Sequence, residues 1–142
     1  MTTVKQLLAE KGNTVWTVGP DQTVLDAIRI LADKDIGALV VVEADRPIGV
    51  FSERDYVRKV FVKGKTSPTT LVREVMSAPV ISVGLAATVE QCMATMSSRR
   101  IRHLPVVENG RLVGMLSMTD LVDHIIREQH QLIEQLESYI HG

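Results

Sequence analysis

Val15-Trp16-Thr17-Val18-Gly19 opens a segment that closes on Gly49-Val50-Phe51-Ser52-Glu53-Arg54-Asp55, and 65 residues later the chain does the same again. The second copy opens on Val80-Ile81-Ser82-Val83-Gly84 and closes on Gly114-Met115-Leu116-Ser117-Met118-Thr119-Asp120. The copies superimpose without a gap. Val15/Val80, Gly19/Gly84, Thr23/Thr88, Ile36/Ile101, Leu39/Leu104, Glu43/Glu108, Gly49/Gly114, Ser52/Ser117 and Asp55/Asp120 are identical pairs. A two-fold internal repeat of this length sets the architecture. Any site in one half has a counterpart position in the other.

Each half holds roughly 60 residues, a size at which an independent core is marginal. The halves are therefore expected to pack on each other, as units of residues 1–66 and 67–142. A net charge of −1 removes the basic face of a general nucleic-acid binder. Aromatic residues at 4% leave no base-stacking platform. The single Cys92 cannot form an internal disulfide and falls among apolar residues at helical spacing, as a buried structural thiol does. That fits a reducing cytoplasm. Apolar runs such as Ala38-Leu39-Val40-Val41-Val42 are too short to span a bilayer, and no secretory signal opens the chain.

Hydrophobic periodicity gives the order of elements. Val4, Leu7 and Leu8 share a helical stripe that Gly12 ends. Val15–Val18 reads as a strand. Thr23 caps a helix that buries Leu25, Ile28, Leu31 and Ala32, with Asp26 three residues after the cap. Ala38–Glu43 is a continuous apolar strand, Ala44-Asp45-Arg46 a hairpin turn, Ile48–Phe51 its partner, and Ser52 opens a helix to about Val62. The second half repeats this: a strand at Val80, a helix from Thr88, strands at Leu104–Val107 and Leu112–Leu116 joined by Asn109-Gly110, and a helix from Ser117. Each half is β-α-β-β-α. Lys63–Thr70 is a polar linker. The last helix runs on to Ile140 without Pro or Gly, and Val122, Ile125, Leu132, Leu136 and Tyr139 form an apolar seam. That seam suits a fold-back on its own subunit or a homodimer.

Gly-h-h-Ser-x-x-Asp (h, apolar) occurs at both strand-to-helix junctions. Ser-x-x-Asp at a helix start is a capping box in which Ser takes a helix amide and Asp complements the dipole. Two copies at matched positions, each after a Gly-led strand, also suit a nucleotide. The glycine leaves room beside the backbone, the helix start offers amides to phosphate, and the Asp accepts ribose hydroxyls.

The repeated β-α-β-β-α with this motif resembles the CBS-domain pair, the module of cystathionine β-synthase and the gamma subunit of AMP-activated protein kinase. The resemblance spans Val15 to about Val122 and includes no catalytic domain. It implies an α/β fold of two tandem repeats packed sheet to sheet with pseudo-two-fold symmetry, plus the extended C-terminal helix. It implies a stand-alone regulatory sensor that is not an enzyme. The sensor needs no cofactor and takes an adenosyl ligand between its repeats: AMP first, with ADP, ATP, NAD(H) and S-adenosylmethionine as alternatives. It then signals to a regulated partner protein. The resemblance places Asp55 and Asp120 on riboses, Ser52 and Ser117 beside them, and Arg54 and Thr119 toward phosphate. It also makes Val15, Trp16 and Thr17, and Val80, Ile81 and Ser82, walls of the adenine pockets. Trp16, Val40 and Pro105 fit the core as well as a ligand contact.

Arg102 and His103, with Arg99 and Arg100, form a cationic cluster in a nearly neutral chain. The resemblance turns this position into the cleft, where Arg suits a phosphate fork. The matched Gly37 and Ala38 carry no charge, so the clefts are unequal. The expectation is that the cleft of Asp55, with Arg54, Arg102 and His103, holds the stronger phosphate field.

Other patterns carry less. Lys63-Gly64-Lys65-Thr66-Ser67 is similar to the end of a phosphate-binding loop, but lacks its first glycine and its preceding strand. His124 and His130 are six apart, off the spacing of a zinc pair, and no Cys/His cluster exists. No nucleophile elbow or acid–base carboxylate pair is present. The competing reading is a protein-interaction module that works without nucleotide, through its flat faces and its last helix.

Overall fold

The computed structural model describes residues 1–141. In chain order it contains α1 (Val4–Lys11), β1 (Thr17–Val18), α2 (Val24–Lys34), β2 (Ala38–Glu43), β3 (Arg46–Ser52) and α3 (Glu53–Asp55). After these come α4 (Val72–Val75), α5 (Val89–Arg99), β4 (His103–Glu108), β5 (Arg111–Ser117) and α6 (Met118–His141). The α/β architecture of two matched halves and a long C-terminal helix is the expected one.

The hairpins correspond residue for residue. In β2–β3, Ala38 faces Ser52 and Val41 faces Gly49. In β4–β5, His103 faces Ser117 and Val106 faces Gly114. Both ladders slip at the same place, after Val41 and after Val106. The tight turns need two residues at positive φ. Asn109-Gly110 supplies them at 54° and 76°, and Ala44-Asp45 takes the same conformation at 50° and 64°.

The outer strands do not correspond. In the first half β1 pairs in parallel with β2, shorter than the expected Val15–Val18. In the second half the strand expected at Val80 is reduced to one bridge, Val83 to Val106. The reason is Pro105. Its counterpart Val40 donates its N–H to the Trp16 carbonyl at 3.2 Å, and proline has no N–H to give.

The helix expected from Glu53 to Val62 is present but changes pitch. After α3 the chain widens into π-helical turns over Tyr56–Phe61, closed by the Val62 N–H on the Val57 carbonyl at 3.0 Å. The widening turns Val60 into the core and leaves Phe61 exposed.

Each half has its own core, and each core borrows a helix. Val18, Val24, Ala27, Leu31, Leu39, Val41, Phe51 and Val60 pack with Val72 and Val75 of α4. Val89, Cys92, Met96, Leu104, Val106, Leu116 and Leu121 pack with Val4, Leu7 and Leu8 of α1. So α1 precedes the first repeat in sequence but seals the second, and α4 seals the first. The backbone does this identically on both sides. Val4 N–H bonds the Ala87 carbonyl at 2.8 Å and Val72 N–H bonds Gln22 at 2.9 Å. Val89 N–H bonds Thr2 at 3.0 Å and Val24 N–H bonds Thr70 at 2.8 Å.

This exchange accounts for the motif glycines. A Cβ on Gly49 would lie 2.8 Å from the Ser77 carbonyl oxygen and 3.1 Å from Met76 Sδ. One on Gly114 would lie 2.9 Å from Leu8 Cδ1. The reading that these glycines leave room for a ligand is therefore corrected: the borrowed segments fill that room.

Candidate functional site

The Ser and Asp of each motif first meet each other. The Asp55 N–H bonds Ser52 Oγ at 3.2 Å and the Ser52 N–H bonds Asp55 Oδ2 at 3.0 Å. The same pair at Asp120 and Ser117 measures 3.1 and 2.7 Å. Both are capping boxes built on aspartate.

What remains on each carboxylate differs. Asp55 is buried, and both its oxygens are taken. Oδ2 also accepts Ser52 Oγ at 3.1 Å, and Oδ1 accepts Ser77 Oγ and Lys59 Nζ, each at 2.9 Å. Lys59 donates to Ser77 Oγ as well, at 3.3 Å. The Ser77 segment is pinned over β3 by reciprocal backbone bonds with Val50, at 2.8 and 3.0 Å. Asp120 is more open. Its Oδ2 holds the Ser117 N–H and Lys11 Nζ, both at 2.7 Å, and its Oδ1 has no hydrogen bond among the described residues. Lys11 also donates to the Met115 carbonyl.

Asp120 opens onto a cleft of about 770 Å³ between the repeats. The stretch from α1 to β1 contributes Lys11, Thr14, Val15 and Trp16. The end of α2 and the start of β2 contribute Asp35, Ile36, Gly37 and Ala38. The second repeat contributes Arg102, His103, Met115, Ser117, Met118, Thr119 and Asp120. Of the residues singled out from sequence, Val15, Trp16, Gly37, Ala38, Arg102, His103, Ser117, Thr119 and Asp120 thus meet in one place. Ser52, Arg54, Asp55, Thr17, Val80, Ile81 and Ser82 do not line it. Arg54 instead donates to the Arg100 carbonyl at 3.3 Å.

The expected inequality of the clefts turned on where Arg102 and His103 lie. Arg102 and His103 line the cleft of Asp120, whereas the expectation set them with Asp55. The Gly37–Ala38 and Arg102–His103 pairs sit across the pseudo-two-fold axis from each other. A Cβ on Gly37 would lie 3.4 Å from His103 Nε2. Trp16 is 41% exposed at this cleft and so is not core, and Lys34 Nζ stands 4.4 Å from its ring centroid. Val40 and Pro105 are buried core residues.

The electrostatics follow from burial and neighbours. Burial holds the His103 ring below the ordinary histidine value; Asp120 pulls it up, and Lys11 and Arg102 push it down. His103 is therefore a neutral hydrogen-bonding group at pH 7 rather than part of a cationic cluster. Burial works to raise Asp120, but the Lys11 hydrogen bond and charge and the Ser117 donors outweigh it and hold the carboxyl below its usual range. Cys92 is fully buried, and burial pushes its thiol up. No group of three or more potential metal ligands occurs among the described residues, and none of the described helices is long and apolar enough to cross a membrane.

Sequence reasoning missed Lys11, Thr14, Asp35, Ile36, Met115 and Met118. Asp35 carried a signal: it is the left-handed C-cap of α2, matched by Arg100 at the end of α5. Lys11 carried none, because it reaches the cleft through the helix exchange.

Comparison with known proteins gives the same picture. The CBS domain model matches twice, at residues 6–62 and 72–127. The mitochondrial CBS domain-containing protein CBSX3 of Arabidopsis thaliana is 34% identical over 99% of this chain and 73% of its own length. A CBS-domain protein of Burkholderia ambifaria MC40-6, assigned to signal transduction, is 44% identical. Its structure covers 90% of this chain and 96% of its own, with a TM-score of 0.86. A CBS domain pair solved with 5′-methylthioadenosine and S-adenosyl-L-methionine shares the fold at 23% identity and a TM-score of 0.81, over 90% of this chain and 98% of its own. The exchanged helices, the matched hairpins and the paired capping boxes are thus those of two CBS domains, and the chain belongs to the CBS-domain family.

Proposed function

We propose that this chain is a regulatory sensor that binds one adenosyl ligand, with AMP the first candidate, in the cleft of Asp120, and passes its ligand state to a partner protein. CBS-domain pairs are regulatory modules. The observation that carries the finer reading is the contrast between the two aspartates. Asp120, which lines a cleft built from both repeats, has its hydrogen bonds on Oδ2 alone among the described residues, while Asp55 has both oxygens satisfied by its own chain. A volume of about 770 Å³ suits a nucleotide-sized molecule. Ribose hydroxyls suit Asp120, the exposed face of Trp16 suits adenine, and Arg102 and Thr119 suit phosphate. The ligand acts by differential affinity for two arrangements of the repeats. Ser52, Arg54 and Asp55 belong to structure in this reading, with residues 1–66 and 67–142 as its two repeats. No catalytic group is invoked, and a reducing cytoplasm suits the buried Cys92.

Calorimetry on nucleotide-stripped protein tests this with AMP, ADP, ATP, NAD(H) and S-adenosylmethionine. The expected result is one site per chain for at least one of them. No heat and no shift in melting temperature with any of them would sink the reading.

A second reading rests on α6. Beyond Ile125 the helix is exposed, and Ile126, Ile133, Leu136 and Ile140 are 47, 51, 54 and 74% accessible. With Val122 and Gln129 they recur at the alternating 4-and-3 spacing of a coiled-coil seam. This seam suits a homodimer that holds with or without nucleotide. A chain ending at Arg127 is expected to halve the mass seen by light scattering; unchanged mass would remove α6 as the dimer determinant.

A further inference from the structure

Lys11 is the last residue of α1, and it lies on the wall between two cavities. It lines the cleft of Asp120 and also a smaller cavity of about 430 Å³ shared with Leu7, Asp120, Asp123, Ile126 and Arg127. Its ammonium holds the same Asp120 oxygen that the Ser117 N–H holds. A ribose diol that takes Asp120 by both oxygens competes with Lys11 at Oδ2. The displaced ammonium stays in the cleft, because the Met115 carbonyl still holds it.

The cleft is electrically balanced. Lys11 and Arg102 carry positive charge, Asp35 and Asp120 negative charge, and His103 is neutral. Without Lys11 the cleft is net negative. In the other half the ammonium on the motif aspartate comes from Lys59, four residues after Asp55 on the same stretch of chain, and not from the borrowed helix. The borrowed helices align at an offset of 68, which sets Lys11 against Pro79.

We propose that Lys11 determines ligand class: when ribose engages Asp120, the Lys11 ammonium transfers from that carboxylate to an anionic group of the ligand, so the cleft selects phosphorylated adenosyl ligands over neutral or cationic ones. This rests on the reading of the Asp120 cleft as the adenosyl site and names the ligand charge it accepts. A charge-assisted hydrogen bond gained in the complex is worth about tenfold in affinity or more.

The test is calorimetry of the full chain with AMP, adenosine and S-adenosylmethionine, for the wild type, Lys11→Met and Lys11→Arg. Circular dichroism and melting curves establish that each variant folds. The expected result is that Lys11→Met lowers the preference for AMP over adenosine about tenfold or more, moves S-adenosylmethionine toward tighter binding, and is rescued by Lys11→Arg. If the variant weakens AMP and adenosine equally, or leaves both unchanged, the proposal is wrong while the adenosyl site stands. If Lys11→Met fails to fold, Lys11→Arg and the salt dependence of wild-type AMP binding decide. AMP affinity no more salt-sensitive than adenosine affinity overturns the proposal. If the wild type binds none of the three, the adenosyl site falls, and Lys11 with it.

Discussion

Asp55 and Asp120 occupy one motif in different surroundings. Asp120→Asn keeps the capping geometry, removes the charge facing the cleft, and is expected to abolish adenosyl binding in calorimetry with a small change in melting temperature. Asp55→Asn is expected to leave binding within about threefold and to lower stability by about 2 kcal/mol in urea unfolding, because Lys59 and Ser77 lose their shared anion. This reverses the order that sequence alone suggested. His103 gives a pH signature. Its ring is depressed in the folded chain, so below its ordinary value of 6.5 the unfolded chain takes up a proton that the folded chain refuses. Its share of stability is present above that pH and is lost as pH falls through it. Melting temperature is expected to drop more between pH 7 and pH 5.5 in the wild type than in His103→Gln; identical slopes would remove this role.

The motif glycines report on packing between elements. Gly49→Ala drives a methyl into a backbone oxygen, whereas Gly114→Ala meets the mobile end of Leu8. Both cost stability by overpacking, about 1–3 kcal/mol, with Gly49 the more costly site in denaturant unfolding. The same elements show how far the sequence could be read. The hairpins, the extents of α2 and α5 and the capping boxes were legible, because each is written in local pattern: alternation, a cap three residues before its partner, an Asn-Gly turn. The buried stripe of α2 was not, since it runs through Val24, Ala27 and Leu31 and leaves the expected Ala32 exposed. The missing strand at Val80 was legible in principle, since Pro105 stands where Val40 must donate an N–H. The exchange of α1 and α4 was written in the chain but at another offset. Val72, Val75 and Met76 repeat Val4, Leu7 and Leu8 at 68 residues, three more than the main repeat, so an ungapped comparison passes over them. The placement of Arg102 and His103 was not legible, because which aspartate they face depends on how the repeats dock.

At the scale of the whole molecule, the two halves differ in how their motif aspartates are held. The first repeat engages both oxygens of its motif aspartate within the fold, and the second engages one. The tail of α6 lies beyond both cores, so a chain ending at Arg127 is expected to keep its melting temperature within a few degrees and its adenosyl affinity intact while losing mass in light scattering. The crossed helices have a further consequence for the ancestry and dissection of the molecule. A single repeat lacks the helix that seals it and carries a helix that seals something else. Two copies of residues 1–66 hold everything one pair needs, each completing the other. Such a fragment is expected to melt at a temperature that rises with its concentration, as an assembly that dissociates on unfolding does. Duplication and fusion of one short ancestor would have turned that bimolecular closure into an intramolecular one. The fused chain then became free to let its two halves diverge, as the different surroundings of Asp55 and Asp120 show.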